Sequence, residues 1–175
     1  MGNETRAVTI IADTRQHDSK HDRKNEYFAA VGIKVVNSKL PAGDYALLTD
    51  MSRVIDTKRN LQELVGNIIQ DHMRFQREAD FCKDNGIEFI VLIEEPGMHV
   101  LEDVKRWYNP RLRKWKKDKW MGRKVNPKPP TDNITLFKIM YSFGKNHDVR
   151  WEFCSPNDAG RRVIELLTEG KDGNI

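Results

Sequence analysis

An acid that follows a glycine, in Gly43-Asp44-Tyr45, is succeeded at hairpin distance by Val54-Ile55-Asp56-Thr57-Lys58, an apolar run closing in Asp-x-Lys. That spacing can gather two carboxylates and one ammonium at a single point. Two carboxylates offer hard oxygen donors to a divalent cation. A neighbouring Lys can orient a water or steady the charge that develops on a pentavalent phosphorus. The chemistry that needs such a set is metal-assisted phosphodiester hydrolysis. A third acid, Asp13, closes another apolar run, residues 7–12 (AVTIIA). One Asp at a turn is ordinary turn chemistry. Three acids, each at the end of an apolar strand, ask for another reason.

Holding these residues together requires a sheet. Short β-branched or apolar runs predict strands over residues 7–12, 33–36, 46–48, 53–58, 88–93 (EFIVLI) and 149–154, with a hairpin turn over 49–52. Helical spacing predicts helices over 21–31, 61–83, 135–147 and 158–169, the second being the longest, with Leu61, Leu64, Val65, Ile68, Phe75, Ala79 and Cys82 on one face. Strands interleaved with helices imply an α/β fold, a mixed central sheet flanked by helices on both faces. Alternation puts Asp56 and Lys58 on one face of their strand and Thr57 on the other. Asp13, at the C-terminal end of the first strand, reaches the edge where ligands gather in open α/β sheets. The expected centre has Asp44 and Asp56, helped by the Thr57 carbonyl, holding Mg²⁺ or Mn²⁺. Asp13 stands in or beside that ligand set, and Lys58 orients the attacking water or the scissile phosphate.

The 175 residues fit one domain, 1–175. No apolar stretch approaches the roughly 20 residues that span a bilayer, and the first residues lack the apolar core of a signal peptide, so no membrane association and an intracellular location are expected. Cys82 and Cys154 read as reduced core thiols. His17, His21, His72, His99 and His147 show no zinc spacing and read as surface or loop residues. Residues 20–24 read as a solvated helix start, and Phe137, Met140, Tyr141 and Phe143 as core. No glycine-rich phosphate loop is present, so no nucleotide cofactor is expected.

Charge is unevenly placed. Between Lys105 and Lys128 stand eleven Lys or Arg against the single acid Asp118, while the whole chain carries only +4. A basic segment on an acidic body is a footprint of nucleic-acid contact. Within this insertion, residues 98–132, Trp107, Tyr108, Trp115 and Trp120 are set among cations. Lys105, Arg106, Arg111, Arg113, Lys114, Lys116, Lys117 and Lys119 are candidates for phosphate contact, and Trp115 and Trp120 for stacking on unpaired bases.

The runs Asp13-Thr14-Arg15, Leu40-Pro41-Ala42-Gly43-Asp44-Tyr45, Ile55-Asp56-Thr57-Lys58, Glu63-Leu64-Val65-Gly66-Asn67-Ile68, Arg74-Phe75-Gln76 and Val91-Leu92-Ile93-Glu94 together resemble the XPF-type nuclease domain of the PD-(D/E)XK, restriction-endonuclease-like superfamily. The resemblance resumes over residues 149–167. It implies divalent-metal-dependent cleavage of DNA at branched, flap or single-strand/duplex junctions, with Asp13, Asp44, Asp56 and Lys58 at the metal centre. It also implies Arg15 and Arg74 near phosphate, and Glu63 and Gln76 in support. The chain departs from the pattern in four places. Asp56-Thr57-Lys58 stands for Glu-Arg-Lys, Gln16 stands for an acid, Glu63 fits only with one extra residue before it, and no helix-hairpin-helix module follows. Compact forms of this kind resemble phage and prophage versions. Two further readings remain open: a catalytically silent DNA-binding module, and a subunit that pairs with itself or with an active partner.

Overall fold

The computed structural model describes residues 8–15 and 18–170. Residues 1–7, where the first expected strand begins, lie outside the described residues, as do Gln16, His17 and the tail from Lys171. Six strands form one sheet: β1 Thr9–Ala12, β2 Lys34–Asn37, β3 Tyr45–Leu47, β4 Arg53–Lys58, β5 Glu88–Ile93 and β6 Val149–Phe153. Their order is β2-β1-β3-β4-β5-β6. β3 runs antiparallel to both β1 and β4, and the other pairs are parallel, so the sheet is mixed. The consequence is local and decisive. The C-terminal ends of β1, β4 and β5 and the N-terminal end of β3 all meet at one edge.

Alternation sorts the side chains to two cores. Ile10, Tyr45, Ile55, Ile90 and Leu92 face α1 (Asp18–Ala30) and α6 (Ala159–Thr168) through Phe28, Ala159, Val163 and Leu166. Val54, Phe89, Val91 and Ile93 face α2 (Leu61–Val65), α3 (His72–Asp84) and α5 (Asn133–His147) through Leu64, Phe75, Ala79, Leu136 and Met140. Burial on both faces is why β5 reads as a continuous apolar run rather than an alternating one.

The single helix expected over residues 61–83 is broken. α2 ends at Val65, a π-turn occupies Gly66–Gln70, and Asp71 separates it from α3. Gly66 is a weak helix former, and the backbone closes a wide turn there, with the Asp71 N–H donating to the Gly66 carbonyl at 3.1 Å. The expected solvated helix start is also corrected. His21 and Lys24 are both buried against the sheet. His21 Nδ1 lies 2.8 Å from the Tyr45 hydroxyl, and Lys24 pairs with Glu94. In α5, Met140 and Phe143 are buried as expected, but Tyr141 is exposed.

The basic segment begins with a 3₁₀ turn, Leu101–Arg106, followed by α4, Pro110–Trp120. Asn109 caps α4 by accepting from the Arg111 N–H at 2.9 Å, and Pro110 stands at its first turn, where a missing N–H costs nothing. Among the described residues no helix is long and apolar enough to cross a membrane.

Candidate active site

Register brings the acids of β1, β3 and β4 to one place. Ala12 pairs with Tyr45, and Tyr45 pairs with Ile55, so Asp13, Asp44 and Asp56 follow one another across the sheet edge. The Asp13 N–H donates to the Asp44 carbonyl at 2.9 Å, and the Asp44 N–H donates to the Ile55 carbonyl at 2.7 Å. Gly43 makes this approach possible. It sits at φ +69°, and a Cβ there would lie 3.0 Å from the Ile55 carbonyl oxygen. Gly43→Ala is therefore expected to destabilise the fold by about 1–3 kcal/mol, from left-handed strain and the close contact. A urea midpoint equal to that of the unaltered chain would contradict this.

The carboxylates have different partners. Asp44 Oδ2 accepts from the Thr57 N–H at 2.8 Å and from the Thr57 hydroxyl at 2.6 Å, which seats it on the backbone between Asp56 and Lys58. Asp56 and Lys58 are both buried, with Lys58 Nζ 2.5 Å from Asp56 Oδ2. Burial by itself would lower the Lys58 pKa, but the charges of Asp56, Asp44 and Glu63 and the Asp56 hydrogen bond outweigh it, and the ammonium is held above its ordinary value. The Phe75 ring of α3 closes over it, 5.4 Å from Nζ to the ring centre.

Asp13, expected in or beside a metal ligand set, is engaged by Arg15 and the Leu40 backbone. Its Oδ1 accepts from the Arg15 N–H at 2.7 Å and from Nε at 3.0 Å. Its Oδ2 accepts from Arg15 Nη2 at 2.5 Å and from the Leu40 N–H at 3.2 Å. Burial pushes this carboxyl up, yet the Arg15 guanidinium and the backbone donors hold it below the usual range. Arg15 also donates to the Leu40 carbonyl at 2.8 Å. The pair ties the start of the Leu40–Asp44 turn to the end of β1.

The remaining expected residues divide. Glu63 lies close enough to raise Lys58, while its Oε2 accepts from the Arg59 N–H at 2.9 Å. Arg74 stands next to Phe75 on α3, paired with Asp71 at 2.5 Å and Glu78 at 3.1 Å. Gln76 turns away. It donates to Asp80 at 3.3 Å, and Asp80 meets His147 of α5 at 2.5 Å.

Glu78 is the residue that sequence reasoning missed. One turn beyond Phe75, it is mostly buried, and burial followed by the nearby Asp56 charge pushes its carboxyl up against the pull of Arg74 and Lys58. The available signal was its spacing, i+4 from Arg74 and beside the core position Ala79. An acid there needs a cationic neighbour inside the fold.

The donor set fits a hard divalent cation. Mg²⁺ is commonly held by one or two carboxylates with waters and substrate phosphates completing its shell, rather than by an all-protein cage. Asp44 and Asp56 supply two such groups on adjoining strands. Among the described residues no three His, Cys, Asp or Glu side chains gather into a group that could hold a metal ion.

Residues 12–144 match the ERCC4 domain. The chain belongs to the ERCC4 domain family. Among solved structures it is similar to XPF from Aeropyrum pernix, at 14% identity and TM-score 0.60, over 94% of this chain and 66% of that one. A second structure, XPF from Aeropyrum pernix in complex with DNA, matches at 14% identity and TM-score 0.58, over 94% of this chain and 65% of that one. This ERCC4 chain thus spans about two thirds of the length of those structures and shares their fold, a restriction-endonuclease-like mixed sheet flanked by helices. Among curated proteins, no sequence matches it.

Proposed function

We propose that this ERCC4-family chain is a Mg²⁺- or Mn²⁺-dependent DNA endonuclease acting at branched, flap or single-strand/duplex junctions. The observation that carries the reading is the meeting of Asp44, Asp56 and Lys58 at one sheet edge, inside the matched region. A similar protein, XPF from Aeropyrum pernix, has been solved in complex with DNA, which supports a polyanionic partner here. In this reading residues 1–175 form one nuclease domain, with the basic stretch 98–132 as its DNA-contacting flank.

Asp44 and Asp56 would hold the cation, which when bound acidifies a water and offsets charge on the phosphorane. Thr57 fixes the Asp44 carboxylate through two donors, so little ordering remains to be done when substrate arrives. Lys58, confined between Asp56 and the Phe75 ring, keeps its charge and can donate to a scissile phosphate oxygen or to the attacking water. Asp13 keeps Arg15 at the rim of the same edge, where the guanidinium is half exposed and available to a phosphate.

The test is a cleavage panel of labelled flap, fork, single-stranded and duplex DNA with Mn²⁺. A junction-containing substrate is expected to be cut. Asp44→Asn is expected to lower the rate by more than the roughly 10–100-fold that losing an outer partner of a metal ligand costs, because here a proposed ligand itself loses its charge. Binding without product under Mg²⁺ and Mn²⁺ alike would overturn the enzymatic reading.

A further inference from the structure

The tryptophans of the basic segment are used in different ways. Trp107 is buried, at 7% exposure. Trp115 is partly buried, its Nε1–H donating to the Asn126 carbonyl at 2.7 Å and Lys119 Nζ lying 4.9 Å from its ring centre. Trp120, the last residue of α4, is 87% exposed. The cations divide in a similar way. Lys114 and Arg123 both engage Asp118, at 2.5 and 2.9 Å. Arg106 pairs with Asp103, and Lys105 lies 4.1 Å from the Phe137 ring centre. Arg113, Lys116 and Lys117 are exposed and make no ion pair among the described residues.

Positions 113, 116, 117 and 120 follow the i, i+3, i+4, i+7 rule that puts residues on one helix face. Leu112 and Trp115, the more buried residues of α4, lie on the other. The outer face of α4 is thus a row of three uncommitted cations ending in an open indole.

We propose that this face reads single-stranded DNA, with Arg113, Lys116 and Lys117 following the phosphates and Trp120 stacking on an unpaired base. The inference rests on the nuclease reading above and narrows its substrate to DNA carrying unpaired nucleotides. Duplex DNA satisfies the cations but hides its base faces, leaving the indole unused. A second copy of this chain docking through Trp120 would press two cationic rows together, which like-charge repulsion opposes. The row spans about 10 Å at 1.5 Å per residue. That is about three phosphate intervals of a stacked strand.

Fluorescence anisotropy in EDTA, where no cleavage contributes, tests this with a labelled oligothymidylate, an abasic strand of the same length and a duplex. Trp120→Ala should weaken oligothymidylate binding by about 5- to 150-fold, the range of one lost base–aromatic stack, with the abasic strand and the duplex changed less than about twofold. Trp120→Phe, which keeps an aromatic face, should retain most of the affinity. Arg113→Ala/Lys116→Ala/Lys117→Ala should weaken all three ligands and reduce the salt slope on the single strand by about 2. An equal loss on abasic and thymidylate strands, no loss at all, or a Trp120→Ala change in sedimentation that reveals a dissociated dimer would each overturn the proposal. Selective loss in a chain that cuts nothing would uphold the stacking face and refute the nuclease reading. Cleavage with binding indifferent to Trp120 would do the reverse.

Discussion

Replacing Lys58 with Ala is expected to slow cleavage by about 10²–10³-fold, the effect of removing one preorganised donor at a developing charge. It is also expected to destabilise the fold by about 3–5 kcal/mol, because a buried charge is left without its counterpart. Both consequences come from one contact. Asp56 and Lys58 share a nearly water-free position under the Phe75 ring, 2.5 Å apart. The two effects can be separated. Mn²⁺ binding to the native state raises stability by mass action, and a site deprived of its ammonium should hold the cation more tightly. Saturating Mn²⁺ should therefore raise the urea midpoint of the Lys58→Ala chain more than that of the unaltered chain, without restoring the rate. Lys58→Met/Asp56→Asn should regain most of the stability and none of the activity. A Lys58→Ala chain with unaltered midpoint and cleavage would remove the central residue of the proposed mechanism.

Lys24→Met should cost a comparable amount, about 3–5 kcal/mol, by exposing Glu94 to an apolar surrounding with no cation beside it. Lys24 on α1 and Glu94 just after β5 are both buried on the face of the sheet opposite Phe75. Typical domains have roughly 5–15 kcal/mol in total, so the single change should bring this chain close to unfolding at moderate temperature. Lys24→Met/Glu94→Met should recover most of the loss, since an apolar pair of similar volume avoids desolvating two ions. Thermal melts of the three variants decide the matter. A Lys24→Met chain within about 0.5 kcal/mol of the unaltered one, the range of ordinary surface changes, would show that the pair is solvated in solution.

The two buried ion pairs explain what reading the chain could and could not reach. β4 and β5 lie over the expected residues because each is a short run of apolar or β-branched residues bounded by turn formers, a signal local to the run. The hairpin spacing likewise brought Asp44 beside Thr57 and Lys58. Nothing local marks Lys24 as buried, since every other residue of 20–24 is also charged or titratable, and its partner is seventy residues away. Glu78 escaped for a related reason. On an amphipathic helix a flanking acid reads as solvated until the sheet residue opposite it is known. The broken helix over residues 61–84 shows the limit in another form, because a consistent apolar stripe runs across Gly66 without revealing the wide turn.

Strand identity, the mixed α/β class, the Asp56–Lys58 pairing and the approach of Asp44 to Thr57 were determined by the sequence itself, since each depends on side-chain alternation and turn chemistry over a few neighbouring positions. The commitment of Asp13 to Arg15, the entry of Glu78, the burial of Lys24 and the exposure of Trp120 were decided by tertiary packing alone. Charge pairing and exposure depend on which distant surfaces meet, and no local pattern encodes that meeting.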